Sequence, residues 1–196
     1  TSGMQANYVR MNGRISWRVL QETEGGPINW SLLAGFETEL RTLQLANLTP
    51  IIVVDDYPRW ATIYPTSCGP LLPDRYHDFA AFMGALVARY STPEFNVHIW
   101  EMGNEPDVDY RLLPADSFFG CWGDWDDLFY NGRAYGEMLK VVTPTIRAVD
   151  PQAQVWIGGL LLASPNTVDD HVSQPEDFLH GILEAGAAPY FDAVPY

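Results

Sequence analysis

Asn104-Glu105-Pro106 sets an amide, a carboxyl and an imino acid side by side where an apolar run has to stop. That run, Val97-His98-Ile99-Trp100, reads as a buried strand. Pro106 has no backbone donor and a fixed φ, so no strand ladder passes through it. Asn104 and Glu105 therefore stand on the last rigid backbone of the strand. The C-terminal end of a parallel strand is where barrel enzymes keep their chemistry. Glu101 lies four residues before Glu105 and, at a period of two, faces the same side. A carboxyl that deep must be paired or protonated, and either Arg10 or His98 is available to it.

With Trp100-Glu101 before it, the Asn104-Glu105-Pro106 segment resembles the acid/base signature of the clan A glycoside hydrolases. These are retaining glycosidases built on a (β/α)8 barrel. The resemblance implies that Glu105 is the proton donor at the end of the family's fourth strand, with Asn104 contacting a sugar hydroxyl. Cleaving a glycosidic bond takes a proton on the leaving oxygen and negative charge near the oxocarbenium-like centre, so two carboxyls are needed. In the clan the nucleophile is a second Glu at the end of the seventh strand. No seventh strand is legible here, so the nucleophile is expected outside this chain, and these 196 residues alone are expected to be inactive.

Asp55 and Asp56 close the Ile51–Val54 run, which should neighbour the Glu105 strand. The resemblance implies sugar-hydroxyl contacts for such residues; a direct catalytic role and a plain strand-end turn are the other readings. Trp17, Tyr57, Trp60, Trp122 and Trp125 lie near expected strand ends. Flat rings complement the apolar faces of sugars. Trp60, directly after the Asp55-Asp56-Tyr57-Pro58 turn, is the first choice for a stacking platform. Trp122 and Tyr196 are further substrate-binding candidates, and packing under long loops is the other fate open to these rings.

The elements that must position these residues alternate. Strands are expected at Tyr8–Asn12, Pro50–Val54, Val97–Trp100, Val155–Gly159 and Phe191–Val194. Helical stripes run through Leu33, Phe36 and Leu40, through Tyr76, Phe79 and Met83, through Tyr135, Leu139 and Val142, and through Phe178 and Ile182. Pro144 is expected to kink or locally break the third of these helices. Such crossovers suit parallel βαβ units with helices on the outer face. A doubly wound sheet usually carries a Gly-rich phosphate turn after its first strand, which is missing here. Gly158-Gly159 reads instead as close packing at a strand end. The expected class is α/β, a parallel (β/α)8 TIM-type barrel. Residues 1–196 supply one partial catalytic domain corresponding to the family's strands two to six. Bare strand edges would make the fragment poorly soluble unless the remainder of the barrel, or another chain, covers them.

Composition narrows the partners. The chain is 47% hydrophobic and 13% aromatic, enough for a core. Its net charge of -14, from 25 acidic against 11 basic residues, repels phosphate backbones but not a neutral carbohydrate. No run of about 18 apolar residues occurs, so no membrane span is expected. His77, His98, His171 and His180 show no metal-ligand spacing, and neither metal nor cofactor is expected. Cys68 and Cys121 lie in Gly/Pro-rich loops that follow neighbouring strands. A disulfide between them would brace the rim and place the protein in an oxidising, secreted or extracytoplasmic setting. The reading that fits best is a retaining hydrolase of O-glycosidic bonds acting on an oligosaccharide or glycoside. The alternative is a non-catalytic carbohydrate-binding or scaffolding barrel, and a third is a parallel α/β protein of unrelated role.

Overall fold

Strands β1 (Tyr8–Arg10), β2 (Ile15–Ser16), β3 (Thr49–Asp55), β4 (Ile99–Met102) and β5 (Gln154–Ile157) form one parallel sheet. The order is β1-β3-β4-β5, with β2 also pairing to β3. The computed structural model describes residues 7–64, 67–114, 117, 120–161, 168 and 171–195. β3 is the central strand, and its Ile51-Ile52-Val53-Val54 core is buried throughout, as a β-branched run covered on both faces should be.

The connecting helices are α1 (Trp17–Leu20), α2 (Ala34–Leu45), α3 (Tyr76–Tyr90), α4 (Gly132–Val149) and α5 (Pro175–Glu184). Ile52, Val54, Trp100, Met102, Val155 and Ile157 share one core with Leu40 of α2, Phe79 and Met83 of α3, Leu139 of α4 and Phe178 of α5. The register places Arg10, Ile51, Val53, Asp55, Ile99 and Glu101 on the opposite face. Helices α2 to α5 thus pack on the outer face, as the barrel reading requires. α4 and α5 touch closely: a Cβ on Gly132 would fall 1.9 Å from the Phe178 carbonyl oxygen.

Three local features depart from the sequence reading. The first strand is broken: Arg10 lies opposite Ile51 and Ile15 opposite Val54, five steps on one side against three on the other. The two extra residues bulge out between β1 and β2 and carry Arg14 across to β3. Helix α4 continues through Pro144 without the local break. Pro144 is exposed, on the side of the helix turned away from the core. The expected strand at Phe191–Val194 is a single parallel bridge from Ala193 to Trp156. It still lies beside β5, with Asp192 N–H donating to Val155 O at 2.7 Å and Ile157 N–H to Ala193 O at 3.2 Å.

Candidate active site

The β4 strand stops as Pro106 requires, and the chain turns sharply at Gly103-Asn104-Glu105. Gly103 has φ 86° and Glu105 has φ 51°. The left-handed region costs a non-glycine residue about 1–2 kcal/mol, so Glu105 must be held there by its surroundings. Its N–H donates to Gly159 O at 2.9 Å, tying the turn to the segment after β5. Gly158 makes that approach possible, because a Cβ there would lie 2.7 Å from Pro106 Cδ and 2.9 Å from Gly103 O. Close packing at this strand end is thus the role of Gly158, whereas a Cβ on Gly159 would meet nothing nearer than 3.6 Å. The long loop after Pro106 folds back over the turn, with Gly120 N–H donating to Asn104 O at 2.9 Å.

Beneath the turn, Tyr135 of α4 is fully buried. Its hydroxyl donates to Met102 O at 2.5 Å and accepts from Gly158 N–H at 3.1 Å. Burial holds its phenol far above the usual range. Tyr135→Phe leaves two buried backbone groups unpaired at about 1–3 kcal/mol each. A loss of about 3 kcal/mol in urea unfolding is the expected result, and a loss below about 0.5 kcal/mol would show that the hydroxyl braces nothing.

On the inner face Glu101 is fully buried and accepts from Arg10 Nε at 2.7 Å and from Arg10 Nη2 at 2.8 Å. Arg10, not His98, is its partner; His98 pairs with Asp150 at 2.6 Å. Arg10 Nη2 also donates to Asn104 Oδ1 at 2.6 Å, which fixes the amide beside Glu105. These carboxylates, Glu101 first, raise the Arg10 guanidinium further above its ordinary value, with smaller contributions from Asp55 and Glu105. Asn104, Arg10, Asn12, Arg14, Val53 and Asp55 line a cleft of about 410 Å³. Glu105 stands half-buried next to Asn104, beside this cleft rather than in its wall.

Asp55 is 2% exposed and lines the cleft. Arg14 Nε lies 3.3 Å from its Oδ1, an ion pair that gives the two Asp55 oxygens no well-aligned donor. Burial pushes this carboxyl up to about 7; Arg14 opposes the rise and Asp56 adds to it. A buried acceptor pair of this kind is suited to donors on a ligand.

Other expected site residues fall elsewhere. Asp56 has φ 54° and turns away from the cleft. It accepts from Arg18 Nε at 2.9 Å, from Arg18 Nη2 at 3.0 Å and from the Ser16 hydroxyl, so it anchors α1 instead of facing a substrate. Trp122 is 1% exposed, with its ring against Tyr135 at 5.1 Å and Tyr57 at 6.3 Å. It is a core ring, because burying so large an apolar surface outweighs leaving it open for a sugar. Trp17 and Tyr57 are buried likewise. Trp125 has the Arg111 guanidinium over its ring at 3.8 Å and the His171 ring stacked on it at 4.3 Å. Trp60 is half-buried in a separate depression bordered by Arg18, Glu22 and Arg59, with its N–H on Glu22 O at 3.2 Å. Tyr196 lies outside the described residues. Cys68 and Cys121 are disulfide-bonded with Cα atoms 5.3 Å apart, joining the loops after β3 and β4.

Asp107, which the sequence reading passed over, is fully buried two residues past Glu105. Leu161 N–H donates to it at 3.0 and 3.1 Å, and the Ser173 hydroxyl at 2.9 Å. Burial raises this carboxyl to about 6 against the pull of those donors. Its only signal in the sequence was its place directly after Asn-Glu-Pro. Arg14 was hidden by the bulge that delivers it.

A parallel sheet backed by helices on one face, with carboxyls gathered at its C-terminal end, defines a segment of a (β/α) barrel. Solved structures of that fold are similar. A family 39 glycoside hydrolase from the gut symbiont Bacteroides cellulosilyticus aligns with a TM-score of 0.62 at 19% identity, over 94% of this chain and 31% of its own. A conserved exported protein from Bacteroides fragilis aligns with a TM-score of 0.59 at 15% identity, over 81% and 32%. A family 1 β-glucosidase from Thermotoga maritima aligns with a TM-score of 0.52 at 16% identity, over 77% and 33%. The chain spans about a third of the length of these structures. Neither a protein-family model nor a curated protein sequence matches it.

Proposed function

We propose that this chain is part of a retaining glycoside hydrolase in which Glu105 is the general acid/base. The carrying observation is the Arg10–Asn104–Glu101 network, which fixes the amide next to Glu105 at the rim of a polar cleft. Asn104 and Asp55 are the proposed sugar-hydroxyl contacts, and Trp60, in its own depression, a platform for a more distant sugar unit. The second carboxylate is assigned to a part of the barrel outside these 196 residues. Among the nearby carboxyls, Glu101 is committed to Arg10 and Asp55 is paired with Arg14. The similar glycosidases are about two to three times as long, which fits further strands closing the inner face where Tyr8 now lies 60% exposed. The disulfide supports an oxidising, extracytoplasmic site of action. No helix among the described residues is long and apolar enough to cross a membrane.

The test is incubation of the intact protein with a series of aryl β-glycosides, with the anomer released followed by NMR. Hydrolysis with net retention is expected. Binding of oligosaccharide without turnover would favour the non-catalytic carbohydrate-binding reading, and neither would remove both.

A further inference from the structure

We propose that Asp107 is a positioning residue, whose carboxylate fastens the two described ends of the β5–α5 connection to the Asn104-Glu105-Pro106 turn and so aims Glu105 at the leaving oxygen. This rests on the glycosidase reading above. The geometry is specific to that task. Glu105 sits in a left-handed conformation that its own side chain does not favour. Two ties hold it against β5. One is the bond from its own N–H to Gly159 O at 2.9 Å. The other is the Asp107 carboxylate, which receives Leu161 N–H on both oxygens and the Ser173 hydroxyl on Oδ2. The same hydroxyl also lies 3.0 Å from Asp107 O, so Ser173 grips the backbone of the turn as well as its side chain.

Asp107 is fully buried, and among the described residues no cation pairs with it. Only N–H and O–H donors stabilise the carboxylate, and the nearby Glu105 opposes its ionisation. A carboxylate accepts through both oxygens at once, which a neutral amide at this position cannot do. With Pro106 stiffening the link, a shift at Asp107 is passed directly to Glu105. A misplacement of about 1 Å in a catalytic group costs about 100-fold in rate, so a loosened clamp should appear in catalysis before it appears in folding.

The experiment compares Asp107→Asn, Asp107→Glu, Ser173→Ala and Glu105→Gln in the intact protein on the same aryl and alkyl β-glycosides. Amide exchange at Leu161 is followed alongside. Asp107→Asn is expected to lower kcat/KM about 10–100-fold for alkyl glycosides and less than about threefold for dinitrophenyl glycosides. KM should stay within about twofold, and Leu161 exchange should quicken at least about tenfold. Ser173→Ala should show the same pattern, weaker, and stands in if Asp107→Asn does not fold; Asp107→Glu should restore part of the loss. Equal losses on both substrate classes, or an unchanged leaving-group dependence in a folded variant, would overturn the proposal. If Glu105→Gln shows that dependence and Asp107→Asn does not, only the positioning role falls. If the unaltered protein hydrolyses no β-glycoside, the glycosidase reading falls and takes this one with it.

Discussion

Glu105→Gln in the intact protein is expected to reduce kcat/KM for alkyl β-glycosides by about 100- to 10,000-fold, the usual contribution of a positioned general acid. The change is close to isosteric and leaves the left-handed backbone at position 105 and its bond to Gly159 in place. Unfolding midpoints should therefore move little. Dinitrophenyl glycosides leave without a proton, so their kcat/KM should fall less than about tenfold. Their kcat should still drop, because the second half of a retaining reaction uses the same residue as a base towards water. Azide needs no base and should restore turnover of these activated substrates. Uniform loss across leaving groups, without rescue by azide, would remove Glu105 from the acid/base role.

Asp55→Asn should move stability and binding in opposite directions. The unfolded chain holds the carboxyl near 3.8, whereas burial raises it to about 7 in the folded protein. The folded state therefore keeps its proton over a window where the unfolded state has lost it. Below about pH 4 both states are protonated and the group contributes nothing. Between about pH 4 and 7 stability falls as the pH rises, and above pH 7 the full cost of the buried charge is present. That span is worth about 4 kcal/mol as a ceiling, with the opposing pull of Arg14 already contained in it. The Asn variant should thus be more stable than the unaltered protein by up to about 4 kcal/mol at pH 8 and indistinguishable at pH 4. If Asp55 accepts sugar hydroxyls, the same change removes charge-assisted hydrogen bonds worth about 1.5–3 kcal/mol, a loss in kcat/KM of about 10- to 150-fold. Urea unfolding at the two pH values and kinetics on a single substrate separate the effects. A variant less stable at pH 8 would mean that the Arg14 ion pair outweighs burial. A variant with unchanged kinetics would take Asp55 out of the sugar site.

The fold and the proposed acid were legible because they depend on local pattern. A β-branched run such as Ile51–Val54 has few conformations other than a doubly covered strand. Pro106 stops a strand wherever it occurs, so the place of Glu105 at a strand end needed no tertiary knowledge. The cysteine pair was legible for a related reason: a parallel sheet of neighbouring strands brings successive loops to the same rim, and Cys68 and Cys121 meet there.

What the sequence could not rank was competition for a partner or for burial. Adjacent carboxyls Asp55 and Asp56 look equivalent in one dimension. The alternation of a strand, and a positive φ at Asp56, send one to the cleft and the other to Arg18. Trp122 and Trp60 both follow strand ends, yet Tyr57 and Tyr135 close around the first and leave the second half-buried. Arg10 and His98 were equal candidates for Glu101 until the ladder set Arg10 across from Ile51 on the inner face. The bulge that supplies Arg14 and the clamp at Asp107 arise from contacts between segments 41 and 54 residues apart in sequence. Chain periodicity determines which elements form and where they end. Only the packing of those elements decides which polar groups lose water together, and that decides which carboxyl is paired, which is left facing the cleft and which holds the turn.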